Sequence, residues 1–189
     1  DKPVIALLPG SRVQEIKNVL PVMIEAAKKF ANDYQVVIAG APSVGDEIYQ
    51  SFLSNEIQLV RNQTYSLLSK SKAALVTSGT ATLETALFNV PQVVCYKGNA
   101  LSYWIGKRLI SIKFISLVNL IMDKEVVKEL IQHELTAGNL KKELLQLLSD
   151  EKSCNQILNQ YADLKHKLGD SGASLRAAKM LFNFLSSEH

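Results

Sequence analysis

The sequence predicts an α/β fold, in which a parallel β-sheet carries helices on both faces and a helical tail follows. Short apolar runs alternate with longer segments of helical periodicity, which is the pattern of repeated β/α units. The runs lie near residues 4–8, 35–39, 57–60, 73–76, 92–96 and 115–118. After about residue 124 only helical patterns follow, so we expect a sheet domain over 1–124 and a helical tail over 125–189.

The first strand and helix are the clearest elements. The run Val4 to Leu8 is continuously apolar, as expected for a parallel strand that is buried on both faces. Apolar residues then recur at three- and four-residue steps, which predicts an amphipathic helix. They are Val13, Ile16, Leu20, Met23, Ala27 and Phe30. Ser11 followed by Gln14 has the spacing of a capping box, so we expect Ser11 to cap this helix.

The tail contains four predicted helical segments, near residues 125–133, 138–149, 151–168 and 172–187. The last one carries an apolar stripe formed by Leu175, Ala178, Leu181 and Leu185. An apolar stripe of this kind is normally buried against another part of the protein. We therefore expect the tail to pack on the same domain, on a missing N-terminal domain or on a partner.

Composition limits the function classes. The chain has 189 residues, 47% of them hydrophobic, and a net charge of only +3, so nothing in its overall charge calls for nucleic acid. Cys95 and Cys154 have neither metal nor redox spacing, and we expect a cytoplasmic location with no metal and no cofactor. The apolar region Leu109 to Met122 is too short to cross a membrane. The start at Asp1, with a strand almost at once, predicts a fragment that lacks an N-terminal half.

A phosphate site is predicted at Ser78-Gly79-Thr80, between an apolar strand and the start of a helix. Glycine allows a ligand to approach the backbone, and unpaired N–H groups at a helix start favour an anion. Glu84 lies one turn further on the same helix face, where its carboxylate could accept hydrogen bonds from ribose hydroxyls. The alternative is that Glu84 only complements the helix dipole.

A second loop, Pro9-Gly10-Ser11-Arg12, follows the first strand. Arg12 is a cation at a helix start, where the dipole disfavours positive charge, unless an anion arrives to pair with it. A solvated surface arginine is the alternative. Since both loops follow strand ends, they can face one diphosphate. No G-x-G-x-x-G follows the first strand and no G-x-x-x-x-G-K-[ST] is present, so we favour a nucleotide-sugar site.

Five motifs together resemble lipid-A-disaccharide synthase. They are Leu7 to Arg12 with Glu15-Ile16, Ser78 to Glu84, Pro91 to Lys97, Ser116 to Leu120, and Glu125 to Gln132. The resemblance covers that family's C-terminal half, and it implies a Rossmann-like domain of a GT-B glycosyltransferase. It implies an inverting enzyme that joins UDP-2,3-diacylglucosamine to lipid X, which is 2,3-diacylglucosamine 1-phosphate, with release of UDP.

The resemblance also implies roles for individual residues. The UDP-donor site would comprise Gly10, Ser11, Arg12, Ser78, Gly79, Thr80, Glu84, Asn119 and Gln132. The general base and the lipid X site would belong to the absent N-terminal domain, so the fragment would be inactive alone. We place no catalytic role on His133, His166 or His189, and the resemblance implies a homodimer.

Three alternatives stay open. The stretch Lys97 to Ile121 mixes basic, aromatic and aliphatic residues, which is typical of peripheral contact with the inner membrane but equally of a helix packed in an interdomain cleft. Another UDP-sugar enzyme of this fold, an epimerase or a peptidoglycan glycosyltransferase, would share the Ser-Gly-Thr and Glu84 pattern, although the Asn119 to Gln132 motif argues against it. A non-enzymatic assembly module would oligomerise without binding nucleotide.

Overall fold

The computed structural model describes residues 2–98, 113–169, 178–180 and 183–184. The strands are β1 Val4–Leu8, β2 Gln35–Gly40, β3 Ile57–Arg61, β4 Ser71–Thr77, β5 Gln92–Tyr96 and β6 Lys128–Ile131. The helices are α1 Val13–Ala27, α2 Glu47–Gln50, α3 Thr64–Leu68, α4 Thr80–Leu87, α5 Leu117–Met122, α6 Ala137–Ser149 and α7 Glu151–Leu168. Short 3₁₀ turns cover Lys28–Phe30 and Gln132–Glu134.

The described strands form one parallel sheet in the order β3-β2-β1-β4-β5-β6. The predicted fold class is therefore confirmed. Successive side chains along a strand point to opposite faces, and β1 follows this rule: Ile5 and Leu7 enter one core cluster, whereas Ala6 and Leu8 enter another. Both faces of β1 are buried, which explains its continuously apolar sequence.

Helices cover both faces of the sheet. Helices α1 and α6 pack on one face, where Leu20 and Met23 meet Leu140 and Leu144. Helix α3 covers β1, β2 and β4 on the other face, and α4, α5 and α7 cover the β5 side of that same face. Of the predicted α1 stripe, Val13 is exposed, because it is the first residue of the helix.

Two of the predicted elements are wrong. Residues 115–118 are not a strand, because Ser116 caps α5 by accepting a hydrogen bond from the Asn119 N–H group. Residues 125–133 are not a helix, because Lys128–Ile131 forms β6 against β5. The sheet thus extends past residue 124, and the expected domain boundary falls before its last strand.

The described part of the tail packs on the sheet domain. Helix α6 lies against α1, and α7 places Tyr161 and Leu164 in a cluster with Ala86 and Val94. The buried Tyr161 hydroxyl accepts a hydrogen bond from Nε2 of Gln92 at 3.2 Å, and burial raises the pKa of this phenol. The predicted last helix lies largely outside the described residues.

No helix in the described ranges combines the length and the apolar character that crossing a bilayer requires. Residues 99–112, which make up most of the basic and aromatic stretch, lie outside the described residues.

Candidate functional site

The site lies where the direction of the chain through the sheet reverses. From β1 the chain moves outward to β2 and β3, and it then returns to β4 on the other side of β1. In open α/β sheets, ligands bind at this switch point, beyond the carboxyl ends of the strands. Here the two adjacent ends carry the loops Pro9–Arg12 and Ser78–Thr80, which were the two loops that the sequence singled out.

Both loops line one cleft of about 360 Å³. The lining residues are Leu8, Gly10, Ser11, Arg12, Glu15, Ala39, Gly40, Ala41, Pro42, Thr64, Thr77, Ser78, Gly79, Thr80, Ala81 and Glu84. The structure therefore brings together seven of the nine predicted site residues. The other two, Asn119 and Gln132, do not line this cleft.

The first turn is shaped by Gly10, whose φ of 105° lies in the region that favours glycine. The turn places Arg12 at the N-cap of α1, and no side chain caps this end of the helix. The expected capping role of Ser11 was therefore wrong, because the helix begins one residue later than a capping box at Ser11 requires. Gln14 donates instead to Asn18, at 3.2 Å.

Arg12 reaches into solvent at the mouth of the cleft. Its side chain is 82% exposed, and Nη1 lies 3.1 Å from Oε1 of Glu15. A guanidinium with one carboxylate contact keeps several N–H groups free to pair with a phosphate. Its exposure also means that Arg12 contributes little to the stability of the fold.

The second turn is shaped by Gly79, which caps α4. Its φ of 156° and ψ of −164° fall in a region that is essentially restricted to glycine. A Cβ atom built there meets no other atom within 4 Å, so the space in front of Gly79 is open. Within the described residues, the N–H groups of Gly79, Thr80 and Ala81 donate to no other group. Three unpaired donors at a helix N-terminus are an arrangement that favours an anion.

Ser78 has a different role from the one expected. Its N–H group donates to the Cys95 carbonyl at 3.2 Å, and its hydroxyl donates to the Ile115 carbonyl at 2.8 Å. Both donors are therefore used within the protein, and only the lone pairs of the hydroxyl remain. The donors of this turn come instead from Gly79, Thr80 and Ala81.

Glu84 lies at the boundary between two clefts. It lines the main cleft and also a second one, of about 480 Å³, together with Asn62, Gln63, Thr64, Tyr65 and Ser66. The Glu84 carboxylate forms no hydrogen bond with any described residue. A half-buried carboxylate at this point can accept hydrogen bonds from a ligand that extends from one cleft into the other.

Asn119 is fully buried, and its side chain is saturated. Nδ2 donates to the Val127 carbonyl and to Oε1 of Glu129, both at 2.8 Å. Oδ1 accepts from the N–H groups of Val126, at 2.8 Å, and Val127, at 3.0 Å. An amide makes no more than four such bonds. The structure thus gives Asn119 a role in holding α5 to the segment that leads into β6, and its amide keeps no free donor or acceptor.

Gln132 follows the carboxyl end of β6, at the same edge of the sheet as the cleft but two strands from β4. Its φ of 52° is unusual for a residue other than glycine. Its buried Nε2 atom has no hydrogen-bond partner among the described residues. A buried amide without a partner is costly, which is consistent with a site that a ligand completes.

Two further residues of the cleft were missed by the sequence analysis. The Thr77 side chain is only 5% exposed, and its hydroxyl has no partner among the described residues. Glu15 pairs with Arg12 and packs beside Gly10. The signal for Thr77 was its position directly before Ser78, at the end of an apolar run. Glu15 appeared in the sequence analysis only as part of the first resemblance motif, with no role assigned to it.

A family model described as lipid-A-disaccharide synthetase matches residues 1–181 of this sequence. The chain belongs to the lipid-A-disaccharide synthetase family. Three curated lipid-A-disaccharide synthases illustrate the similarity: those of Coxiella burnetii (36% identity over 190 residues), Myxococcus xanthus (36% over 191) and Syntrophus aciditrophicus (37% over 193). The alignments cover 98–99% of this chain but only 50% of each relative. This member of the lipid-A-disaccharide synthetase family therefore spans about half the length of the curated relatives it matches.

Solved structures with the same fold are more distant in sequence. A Staphylococcus aureus MnaA structure with UDP aligns with a TM-score of 0.66 at 18% identity, covering 98% of this chain and 47% of MnaA. The calicheamicin glycosyltransferase CalG4 aligns with a TM-score of 0.63 at 17% identity, covering 99% and 44%. For this lipid-A-disaccharide synthetase family member, these similarities show the Rossmann-like half of a GT-B fold.

Proposed function

We propose that this chain is the donor-binding half of an inverting glycosyltransferase. The reaction joins UDP-2,3-diacylglucosamine to lipid X, forms the β-1,6-linked lipid A disaccharide phosphate and releases UDP. The observation that carries the proposal is the cleft at the switch point of the sheet, where three unpaired N–H groups and Arg12 face one space. Membership of the family supports the choice of donor, and the fold shared with a UDP-bound MnaA supports a uridine nucleotide.

The diphosphate would lie between the two turns. The N–H groups of Gly79, Thr80 and Ala81 would bind one phosphate at the N-terminus of α4, where the helix dipole adds a favourable field. Arg12 would exchange its single contact with Glu15 for the second phosphate, whose oxygens can accept two parallel hydrogen bonds from the guanidinium. As the glycosidic bond of the donor breaks, negative charge grows on the departing UDP, so these groups would also stabilise the transition state.

The nucleoside would extend past Glu84 into the second cleft. The Glu84 carboxylate would accept hydrogen bonds from the ribose hydroxyls, and the base would lie toward Asn62–Ser66, which line that cleft. Gln132, with its unpartnered amide at the same edge of the sheet, would contact the donor from the β6 side. The family resemblance motivates this last contact.

The acceptor and the general base would come from the other half of the enzyme. The described histidines, His133 and His166, are both exposed and do not line the cleft. We therefore expect the isolated chain to bind UDP without transferring sugar. A homodimer and peripheral contact with the inner membrane are further predictions, and they rest on the family resemblance and on the basic and aromatic stretch near residues 97–121.

The first test removes the cation at the mouth of the cleft. Arg12→Ala should weaken UDP binding by roughly 10- to 100-fold, since hydrogen bonds to charged groups contribute about 1.5–3 kcal/mol. Calorimetric titration of the 189-residue chain measures this change, and Lys17→Ala, which removes an exposed cation from the same helix, should leave the affinity unchanged. Equal affinities of Arg12→Ala and the parent chain for UDP would contradict the assigned diphosphate site.

The second test concerns the ribose. The parent chain should prefer UDP over 2′-deoxy-UDP, and Glu84→Ala should remove most of this preference, because the carboxylate that binds the 2′-hydroxyl is gone. We expect the ratio of the two dissociation constants to fall by about tenfold, the value of one charge-assisted hydrogen bond. Glu25→Ala, which removes an exposed carboxylate from α1, is the matched control. A preference that survives in Glu84→Ala would place the ribose elsewhere.

A further inference from the structure

Glu129, on β6, is a buried carboxylate that the proposed function does not use. It is only 9% exposed. Oε1 accepts hydrogen bonds from the Ser116 N–H group at 3.0 Å, the Ser116 hydroxyl at 2.7 Å and Nδ2 of Asn119 at 2.8 Å. Oε2 accepts from the Ile115 N–H group at 2.9 Å. Four donors on one carboxylate hold the segment that precedes α5 firmly against the last strand.

The segment held by Glu129 reaches the phosphate turn directly. The N–H group of Ile115 donates to Glu129, and the carbonyl group of the same residue accepts the hydrogen bond from the Ser78 hydroxyl, at 2.8 Å. Ser78 is fixed on its other side by its N–H bond to Cys95. A chain of hydrogen bonds therefore runs from Glu129 through Ile115 to Ser78, the residue before Gly79.

This connection matters because the anion site consists of backbone donors. Their directions depend on the conformation of the turn, and Gly79 occupies a region of backbone space that persists only when the surrounding structure holds it. Within the described residues, the open space in front of Gly79 contains no protein atom that could hold it. The turn is fixed on its α4 side by Thr82, whose hydroxyl and N–H group donate to the Gly79 carbonyl at 2.8 and 3.2 Å, and on its β4 side by the bonds of Ser78.

We propose that Glu129 is a positioning residue for diphosphate binding. Through Ile115 and the Ser78 hydroxyl it holds the Gly79–Ala81 donors in the direction that a phosphate requires. The inference rests on the proposed function, since it concerns how the same cleft recognises a diphosphate. It also explains why the donors of Ser78 are used within the protein and do not face the ligand.

A merely structural role for Glu129 would lower stability but would not change what the folded protein prefers to bind. The discriminating measurement is therefore the ratio of UMP to UDP dissociation constants, determined at a temperature at which every variant is folded. A positioning role predicts that this ratio falls, because the Gly79–Ala81 donors then bind less tightly the β-phosphate, which UDP has and UMP lacks.

The experiment uses Glu129→Gln, Ser78→Ala and the double variant in the 189-residue chain. Glu129→Gln puts an amide NH₂ group in place of one carboxylate oxygen, so that either the Ile115 N–H group or the Ser116 donors lose their acceptor. Ser78→Ala removes the hydroxyl that bonds to the Ile115 carbonyl and keeps the Ser78 N–H bond to Cys95. The control is Tyr161→Phe, which removes a buried hydroxyl that bonds to Gln92 at the opposite end of β5. Thermal unfolding of each variant sets the temperature of the titrations.

We expect each single variant to reduce the UMP-to-UDP ratio by about tenfold, the effect of displacing preorganised donors by a fraction of an ångström. The double variant should show little further loss, since both changes break one chain of contacts. Tyr161→Phe should keep the parent ratio.

Three results would overturn the inference. The first is a UMP-to-UDP ratio in Glu129→Gln equal to that of the parent chain. The second is a double variant in which the reductions of this ratio by the two single changes multiply. If Glu129→Gln does not fold, Ser78→Ala decides alone, and a parent ratio in that variant is the third. If the parent chain binds UDP and Arg12→Ala weakens that binding, any of these results contradicts the role of Glu129 but leaves the proposed function standing. A parent chain that does not bind UDP defeats the proposed function as well.

Discussion

Replacing Gly79 with alanine is expected to abolish measurable UDP binding while the chain remains folded. A Cβ atom at this position meets no neighbour within 4 Å, so the substitution causes no steric clash. The backbone is the obstacle, because φ 156° and ψ −164° cost a residue other than glycine about 1–3 kcal/mol. The turn should relax into an ordinary conformation and turn the Gly79–Ala81 N–H groups away from the phosphate.

Titration with UDP and a thermal melt of Gly79→Ala check both halves of this expectation. Gly138→Ala is the matched control, since a Cβ at Gly138 also meets no atom within 4 Å but this residue lies in the first turn of α6. Helical glycines gain roughly 0.5–1 kcal/mol when they become alanine, so the control should bind UDP normally and melt no earlier than the parent. Normal UDP binding by Gly79→Ala would show that this turn is not part of the donor site.

Replacing Asn119 with alanine is expected to destabilise the fold by more than about 3 kcal/mol, because several buried polar groups lose their partners at once. The Asn119 amide satisfies the N–H groups of Val126 and Val127, the Val127 carbonyl and one oxygen of Glu129. None of these groups gains a replacement partner from an alanine. The loss should be visible as a lower urea midpoint with an unchanged slope.

Urea unfolding of Asn119→Ala separates two roles for this residue. The sequence resemblance predicted a contact with the nucleotide, whereas the structure shows a saturated amide in the core. Asn159→Ala removes an exposed asparagine from the middle of α7 and should be neutral or slightly stabilising. If Asn119→Ala were as stable as the parent but bound UDP poorly, the core role would be wrong and the nucleotide contact would be right.

Local patterns were reliable where one element carries its own signal. The strands near residues 4–8, 35–39, 57–60, 73–76 and 92–96 are all present. Strands inside the sheet are buried on both faces and must be largely apolar, whereas the edge strand β3 is only partly buried. The start of α4 after Gly79 was also predicted from a local signal, since glycine permits the tight turn that joins a strand to an apolar-periodic helix. The convergence of the two loops followed from the geometry of parallel sheets.

Local patterns failed between residues 115 and 133, where distant partners decide the structure, whereas the helices predicted near 138–149 and 151–168 are present as α6 and α7. Lys128–Ile131 contains good helix formers, yet it becomes a strand because β5 offers an edge to pair with. Ile115 and Ser116 are followed by apolar residues that resemble a strand, yet Glu129, 13 or 14 positions later, binds their N–H groups and lets Ser116 begin a helix. Tertiary contacts overrode propensity in both places.

The sequence by itself determined the α/β fold and the family. It also determined the parts of the candidate donor site, which are the turns at 9–12 and 78–80 and the carboxylate of Glu84. Each of these depends on residues close together in the chain, where glycine geometry, helix dipoles and apolar periodicity act locally. Only the tertiary structure decided that Ser78 holds the turn, that Asn119 belongs to the core and that Glu129 connects β6 to the site. Those roles depend on hydrogen bonds between residues up to 37 positions apart, and a single sequence contains no local signal for such partners.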